Sequence, residues 1–103
     1  MGIGKMNINK IKDGKTLAIE LEGRLDTVSA PQLEAELKSD LNGTEILIFD
    51  FSGLEYLSSA GLRVLLSAQK VMNRQGEMKI KNVNSVIMDI FEITGFTEIL
   101  TIE

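Results

Sequence analysis

Residues 44–63 read Thr44-Glu45-Ile46-Leu47-Ile48-Phe49-Asp50-Phe51-Ser52-Gly53-Leu54-Glu55-Tyr56-Leu57-Ser58-Ser59-Ala60-Gly61-Leu62-Arg63, a short apolar run that hands over to a helix start. The run Glu45–Phe51 is bounded by turn signals and suits a central strand buried on both faces. Ser52-Gly53 is read as its end, with a loop continuing through Leu57. Ser58 and Ser59 then precede a long helix, Ala60–Arg74. Leu62, Leu65, Leu66, Gln69 and Met72 recur there at helical spacing, and Val64, Ala68 and Val71 widen the apolar face. Gln75-Gly76 stops it. A buried strand feeding an amphipathic helix is the repeating unit of an α/β domain.

Working outward from this unit, the upstream chain alternates at Met6 and Ile8, and less cleanly at Ile11. It passes the turn pair Asp13-Gly14 and alternates again at Leu17, Ile19 and Leu21, which predicts a β-hairpin over Met6–Lys12 and Thr16–Glu22. Gly23 ends it. Thr27 or Ser29 is positioned to cap a helix with Pro31 in its first turn and Leu33, Leu37 and Leu41 on one stripe, stopped by Asn42-Gly43. Downstream, Met78–Val83 reads as a strand. Ser85 is placed to cap a third helix with Val86, Ile87, Ile90, Phe91 and Ile93 as its apolar face, and Gly95 to end it. Phe96–Ile102 reads as a last strand. The order β-β-α-β-α-β-α-β implies right-handed crossovers and a mainly parallel or mixed sheet.

At 103 residues, 44% of them apolar, the chain is sized for one domain. The net charge is −4, from 11 basic and 15 acidic residues, which argues against nucleic acid or an anionic membrane surface as partner. The chain has no cysteine and no histidine, so thiol and imidazole chemistry and the usual zinc ligand sets are excluded. No cofactor or metal is expected. The apolar runs are too short for a membrane span, residues 1–5 lack a signal-peptide core, and a chain without disulfides is compatible with the cytoplasm. Residues 1–5 are read as a flexible tail, since Gly2-Ile3-Gly4-Lys5 lacks both the spacing and the preceding strand of a phosphate loop.

The serine pair is the informative feature. Ligand and partner sites of open α/β sheets lie beyond the carboxyl ends of the strands, where Ser58 and Ser59 fall. Unpaired N–H groups and a partial positive charge at a helix start tolerate an anion, and phosphate on either serine adds about −1.5 to −2 charges. Ala60 and Gly61 are expected to leave the hydroxyls open to another protein's active site. Two serines before a helix are also ordinary caps. A catalytic serine is not supported: no histidine exists to act as base, and the third residue after each serine is Gly61 or Leu62 where a Ser-x-x-Lys pair needs lysine. Among other polar candidates, Asp26 shapes the site or accepts a hydrogen bond from Ser59, or else caps the turn before the first helix. Asp50, at a strand end, reads as a contact residue or as a loop cap, and Tyr56 as half-buried or as a surface contact. Met72, Met78 and Met88 sit at apolar positions as core filler, and Glu34, Glu36, Lys38 and Asp40 form a solvated helix face.

Tyr56-Leu57-Ser58-Ser59-Ala60-Gly61-Leu62-Arg63 resembles the signature of the STAS domain family, in particular its bacterial anti-sigma factor antagonists, whose usual form is Asp-Ser-Ser/Thr-Gly-Leu-Gly after a Tyr/Phe-Met/Leu pair. Glu22-Gly23-Arg24-Leu25-Asp26 resembles the family's Gly-x-Leu-Asp loop. Asn82-Val83 with Ile90-Phe91-Glu92-Ile93-Thr94-Gly95-Phe96 resembles its last strand and helix. The resemblance runs from about Met6 to the end and implies a single STAS-like domain over residues 1–103, with a mixed four- to five-stranded sheet and helices mainly on one face.

It also implies a mechanism. The unphosphorylated antagonist binds an anti-sigma factor that is a GHKL-type ATP-dependent serine kinase and so frees the sigma factor; phosphorylation at the position of Ser59 ends the complex, and a PP2C-type phosphatase resets it. Asp26, Tyr56, Ser58, Ala60, Gly61 and Arg63 are then the expected partner contacts, in a cytoplasmic monomer or weak homodimer that is not itself an enzyme. Ser58 stands where the family has aspartate, which makes it a possible second acceptor, and Arg63 replaces a common glycine. The family's usual C-terminal helix is expected to be absent or very short, leaving apolar surface open. The alternatives are a constitutive STAS subunit of a transport or sensory complex, never phosphorylated, and a small-molecule or nucleotide-binding domain holding phosphate at the helix start, which no Walker or glycine-rich motif supports.

Overall fold

The computed structural model describes residues 5–103. The residues read as a flexible tail therefore lie outside it, except Lys5, whose carbonyl accepts from Arg24 N at 2.9 Å. Strands β1 (Met6–Asp13) and β2 (Thr16–Leu25) form the hairpin and are followed by α1 (Ala30–Asp40), β3 (Ile46–Leu57), α2 (Ser59–Gln75), β4 (Glu77–Lys81) and α3 (Ser85–Thr94). The two residues of the hairpin loop are Gly14 and Lys15, and Gly14 carries φ +62°, the left-handed first position of a type II′ turn.

The sheet order is β1-β2-β3-β4, with β1 antiparallel to β2 and the other pairs parallel. Two successive crossovers of one hand, both advancing the same way across the sheet, place α1 and α2 on the same face. The register aligns Ile19 with Phe49 and Phe49 with Ile80 beneath them, and all three side chains are fully buried. Phe51 carries the core on toward α3, its ring centroid 6.5 Å from that of Phe91. The opposite sheet face, at Ala18, Glu20, Ile48, Asp50 and Lys79, is only partly covered. β3 is thus buried on one face and not on two, because all the helices lie on that side.

Three further expectations are corrected. β3 does not end at Ser52-Gly53 but runs to Leu57, with one extra residue between Asp50 and Gly53 and another between Leu54 and Tyr56 relative to β2. These β-bulges change the spacing of inward residues from two to three, giving Phe51, Leu54 and Leu57 as buried positions. That is why alternation is lost there while the strand continues. The last strand is reduced to a 3₁₀ turn at Phe96–Glu98 and one parallel bridge between Ile80 and Ile102. Gly95, at φ +81°, redirects the chain, and Leu100 N then bonds Phe96 O at 2.8 Å instead of a neighbouring strand. Finally, Val86 and Ile93 are 60% and 86% exposed. The buried stripe of α3 is Ile87 and Phe91, because the sheet meets this short helix along one narrow line.

The polar face of α1 is not wholly solvated: Glu36 and Asp40 both bind Lys10 of β1, at 2.7 Å for Asp40. The hydrogen bonds to Asp40 and then Glu36 hold the Lys10 ammonium above its usual pKa. At the far end, Gln75 Nε2 donates to the carbonyls of Leu41 and Thr44, both at 2.6 Å, which ties the end of α2 to the loop after α1.

Candidate functional site

The site forms where β2 and β3 end side by side, with Leu25 paired to Leu57 and Arg24 to Tyr56. Ser58 N donates to Leu25 O at 2.9 Å, which turns the chain out of the sheet. Ser58 is extended (φ −99°, ψ 174°), and its Oγ accepts from Gly61 N at 3.4 Å while its carbonyl accepts from Leu62 N at 3.0 Å. Ser58 is therefore the N-cap of α2, partly buried and engaged in closing the first turn. Ser59 is the first helical residue, exposed, with no side-chain hydrogen bond among the described residues. The helix begins one residue earlier than the serine pair implied, and this separates the two hydroxyls into a capping one and an open one.

Gly61 is not a surface contact. It is buried, and a Cβ on it would lie 2.7 Å from both Leu25 Cγ and Leu57 Cδ1. Its role is to let the start of α2 sit directly on the ends of β2 and β3, which pushes Ser59 outward. Asp26, 4% exposed, is likewise a builder of the site. Its Oδ1 accepts from Val28 N at 3.0 Å and Ser29 N at 3.1 Å, and its Oδ2 lies 3.6 Å from Arg24 Nε. Ser29, at the cap position of α1, turns its hydroxyl backward: Oγ donates to Arg24 O at 2.7 Å and accepts from Asp26 N at 2.9 Å. The loop from Arg24 to Ser29 is thereby cross-braced, and Thr27 and Val28 protrude from it, Val28 being 62% exposed.

Tyr56 is 39% exposed, and the Arg24 guanidinium covers one face of its ring at 4.2 Å from the centroid, a cation–π contact. Arg24 and Val28 were not singled out from sequence. The register that places Arg24 beside Tyr56 depends on the second β3 bulge, and only the position of Arg24 within the Glu22–Asp26 motif hinted at it. Ala60 is partly exposed. Arg63 is exposed and lines a cleft with Thr27, Pro31, Glu34 and Ser67 between the starts of α1 and α2. Wholly or partly exposed side chains at this end of the sheet thus include an aromatic (Tyr56), an aliphatic (Val28), two cations (Arg24 and Arg63) and the open Ser59 hydroxyl. No cluster of metal-ligating side chains occurs among the described residues.

A second polar cluster lies at the end of β4. Asp50 accepts from Asn82 Nδ2 at 3.0 Å and from Ser52 N at 2.9 Å. The Asn82 bond, then the Ser52 N–H, hold its carboxyl below the usual range near pH 4. A depressed carboxylate contributes stability above its unfolded pKa, and that contribution is lost as pH falls through the folded value. Asn82 sits at φ 61°, so Asn82→Gly keeps the backbone and removes the amide. We expect the acid-side fall in thermal midpoint, measured by circular dichroism between about pH 5 and pH 2, to be shallower in this variant than in the parent.

The model of the STAS domain family matches residues 7–103. BtrV of Bordetella bronchiseptica, provisionally named an anti-sigma factor antagonist, is 38% identical over 100 residues, covering 95% of this chain and 84% of its own length. The crystal structure of an anti-sigma factor antagonist from Mycobacterium paratuberculosis superposes with TM-score 0.88 at 18% identity, covering 98% of this chain and 87% of the other. SpoIIAA, a Bacillus cell fate determinant solved in its phosphorylated form, superposes with TM-score 0.73 at 18% identity, covering 96% of this chain and 91% of its own. Among the described residues, no helix is long and apolar enough to cross a membrane.

Proposed function

This chain belongs to the STAS domain family, and from that membership we propose that it is an anti-sigma factor antagonist: a regulatory binding protein, not an enzyme, that acts in the cytoplasm and is switched off by phosphorylation at Ser59. The observation that carries the reading is the exposed Ser59 hydroxyl at the first position of α2, three residues after Tyr56 and four before Arg63. Unmodified, this end of the sheet offers Tyr56 and Val28 for burial against an anti-sigma factor with the GHKL-type kinase fold. A phosphate there brings about −1.5 to −2 charges into the middle of the contact, where desolvation and repulsion end the complex. A PP2C-type phosphatase restores the binding form. The 38% identity to BtrV supports the general role.

Incubation with ATP and the cognate anti-sigma factor, followed by intact mass, tests the reading. One phosphate is expected on the parent and on Ser58→Ala, and none on Ser59→Ala. A parent chain that stays unmodified while binding the anti-sigma factor stably would overturn the switch and point to a constitutive interaction subunit.

A further inference from the structure

We propose that Arg63 is the intramolecular counter-ion of a phosphate on Ser59, so that the modified chain carries its own neutralising group one helical turn away. The inference rests on Ser59 being the acceptor and adds the residue that holds the modification. Ser59 and Arg63 are both exposed and stand four residues apart within α2. That spacing puts their Cβ atoms about 5–6 Å apart on one face, within reach of an extended guanidinium. Its planar fork matches two phosphate oxygens, which a lysine ammonium does not.

The surroundings favour this pairing. Arg63 has no ion-pair or hydrogen-bond partner for its side chain among the described residues. Arg24, the other cation of the surface, is held over the Tyr56 ring and beside Asp26. Of the nearby carboxylates, Glu34 lines the same cleft as Arg63 from α1, Asp26 is occupied by the loop and Arg24, and Glu55 is exposed on β3. A dianion at Ser59 thus meets a cation that has no partner to give up. In the released state the phosphate is shielded by Arg63, and its removal requires that contact to be broken.

The test uses the full chain with phosphoserine genetically encoded at position 59, with and without Arg63→Gln, titrated by ³¹P NMR. The second phosphate ionisation, near pH 6 in a free phosphoserine, is expected at least about 0.3 lower in the parent than in Arg63→Gln, with Arg63→Lys in between. Equal values in parent and Arg63→Gln overturn the inference. Unphosphorylated Arg63→Gln is expected to melt with the parent, as the residue is exposed. Because no kinase is involved, an unmodified Ser59 in the kinase assay would overturn the proposed switch and leave this titration readable. Equal ionisation would overturn only the role of Arg63.

Discussion

Ser59→Glu is expected to weaken binding to the anti-sigma factor about a hundredfold, a difference near 3 kcal/mol. The carboxylate enters the proposed docking surface, to which the exposed Val28 and Tyr56 contribute apolar and aromatic area. Burying it there strips its hydration without a matched partner across the interface. The fold should tolerate the change: Ser59 is exposed and begins α2, where a negative group interacts favourably with the helix N-terminus. Loss of affinity with an unchanged or raised melting temperature is therefore the expected signature in calorimetric titration. Ser58→Ala behaves in the opposite sense, costing about 1 kcal/mol of stability through the lost cap with little effect on affinity. Parent-like affinity in Ser59→Glu would show that the partner docks elsewhere.

Gly76→Ala is expected to cost about 3 kcal/mol or more and to lower the melting temperature by roughly 10–20 °C. Gly76 is the hinge between α2 and β4, and a Cβ there would lie 1.8 Å from the carbonyl oxygen of Glu45. Backbone cannot yield as a flexible side-chain tip does. The same carbonyl accepts from Glu77 N at 2.9 Å, and Gly76 N donates to Met72 O at 2.7 Å, so moving either strand sacrifices a ladder bond or the helix C-cap. Gly14→Ala is the control. Nothing lies within 4 Å of its Cβ position, and only the positive-φ backbone resists, at about 1–2 kcal/mol. Similar melting temperatures for the two variants would refute the close-approach argument.

The two glycines also show where sequence reading ends. Gly14 was legible because Asp13-Gly14 between alternating segments is a local turn signal. Gly76 could be read only as a helix stop, since the atom it must avoid belongs to a residue 31 positions earlier. The same divide runs through the site. A serine pair at a strand-to-helix junction, and its likeness to the STAS signature, were visible in residues 44–63. Which serine is open was not, because that depended on Ser58 bonding Leu25 O and Gly61 N. Gly61 looked like open space beside the hydroxyls, and in the fold it is the contact that seats α2 on Leu25 and Leu57.

By itself, the order of residues in this chain determined the types of seven of the eight predicted elements, the hairpin, the parallel crossovers and the place of the serine pair, because periodicity, turn residues and caps act over a few neighbours. Tertiary structure decided the rest: the bulges that carry β3 past Ser52-Gly53, the Arg24–Tyr56 stack, the exposure of Val86 and Ile93, and the collapse of the last strand to a single bridge. Each depends on register or packing between segments far apart in the chain, and such contacts exist only after the sheet has formed.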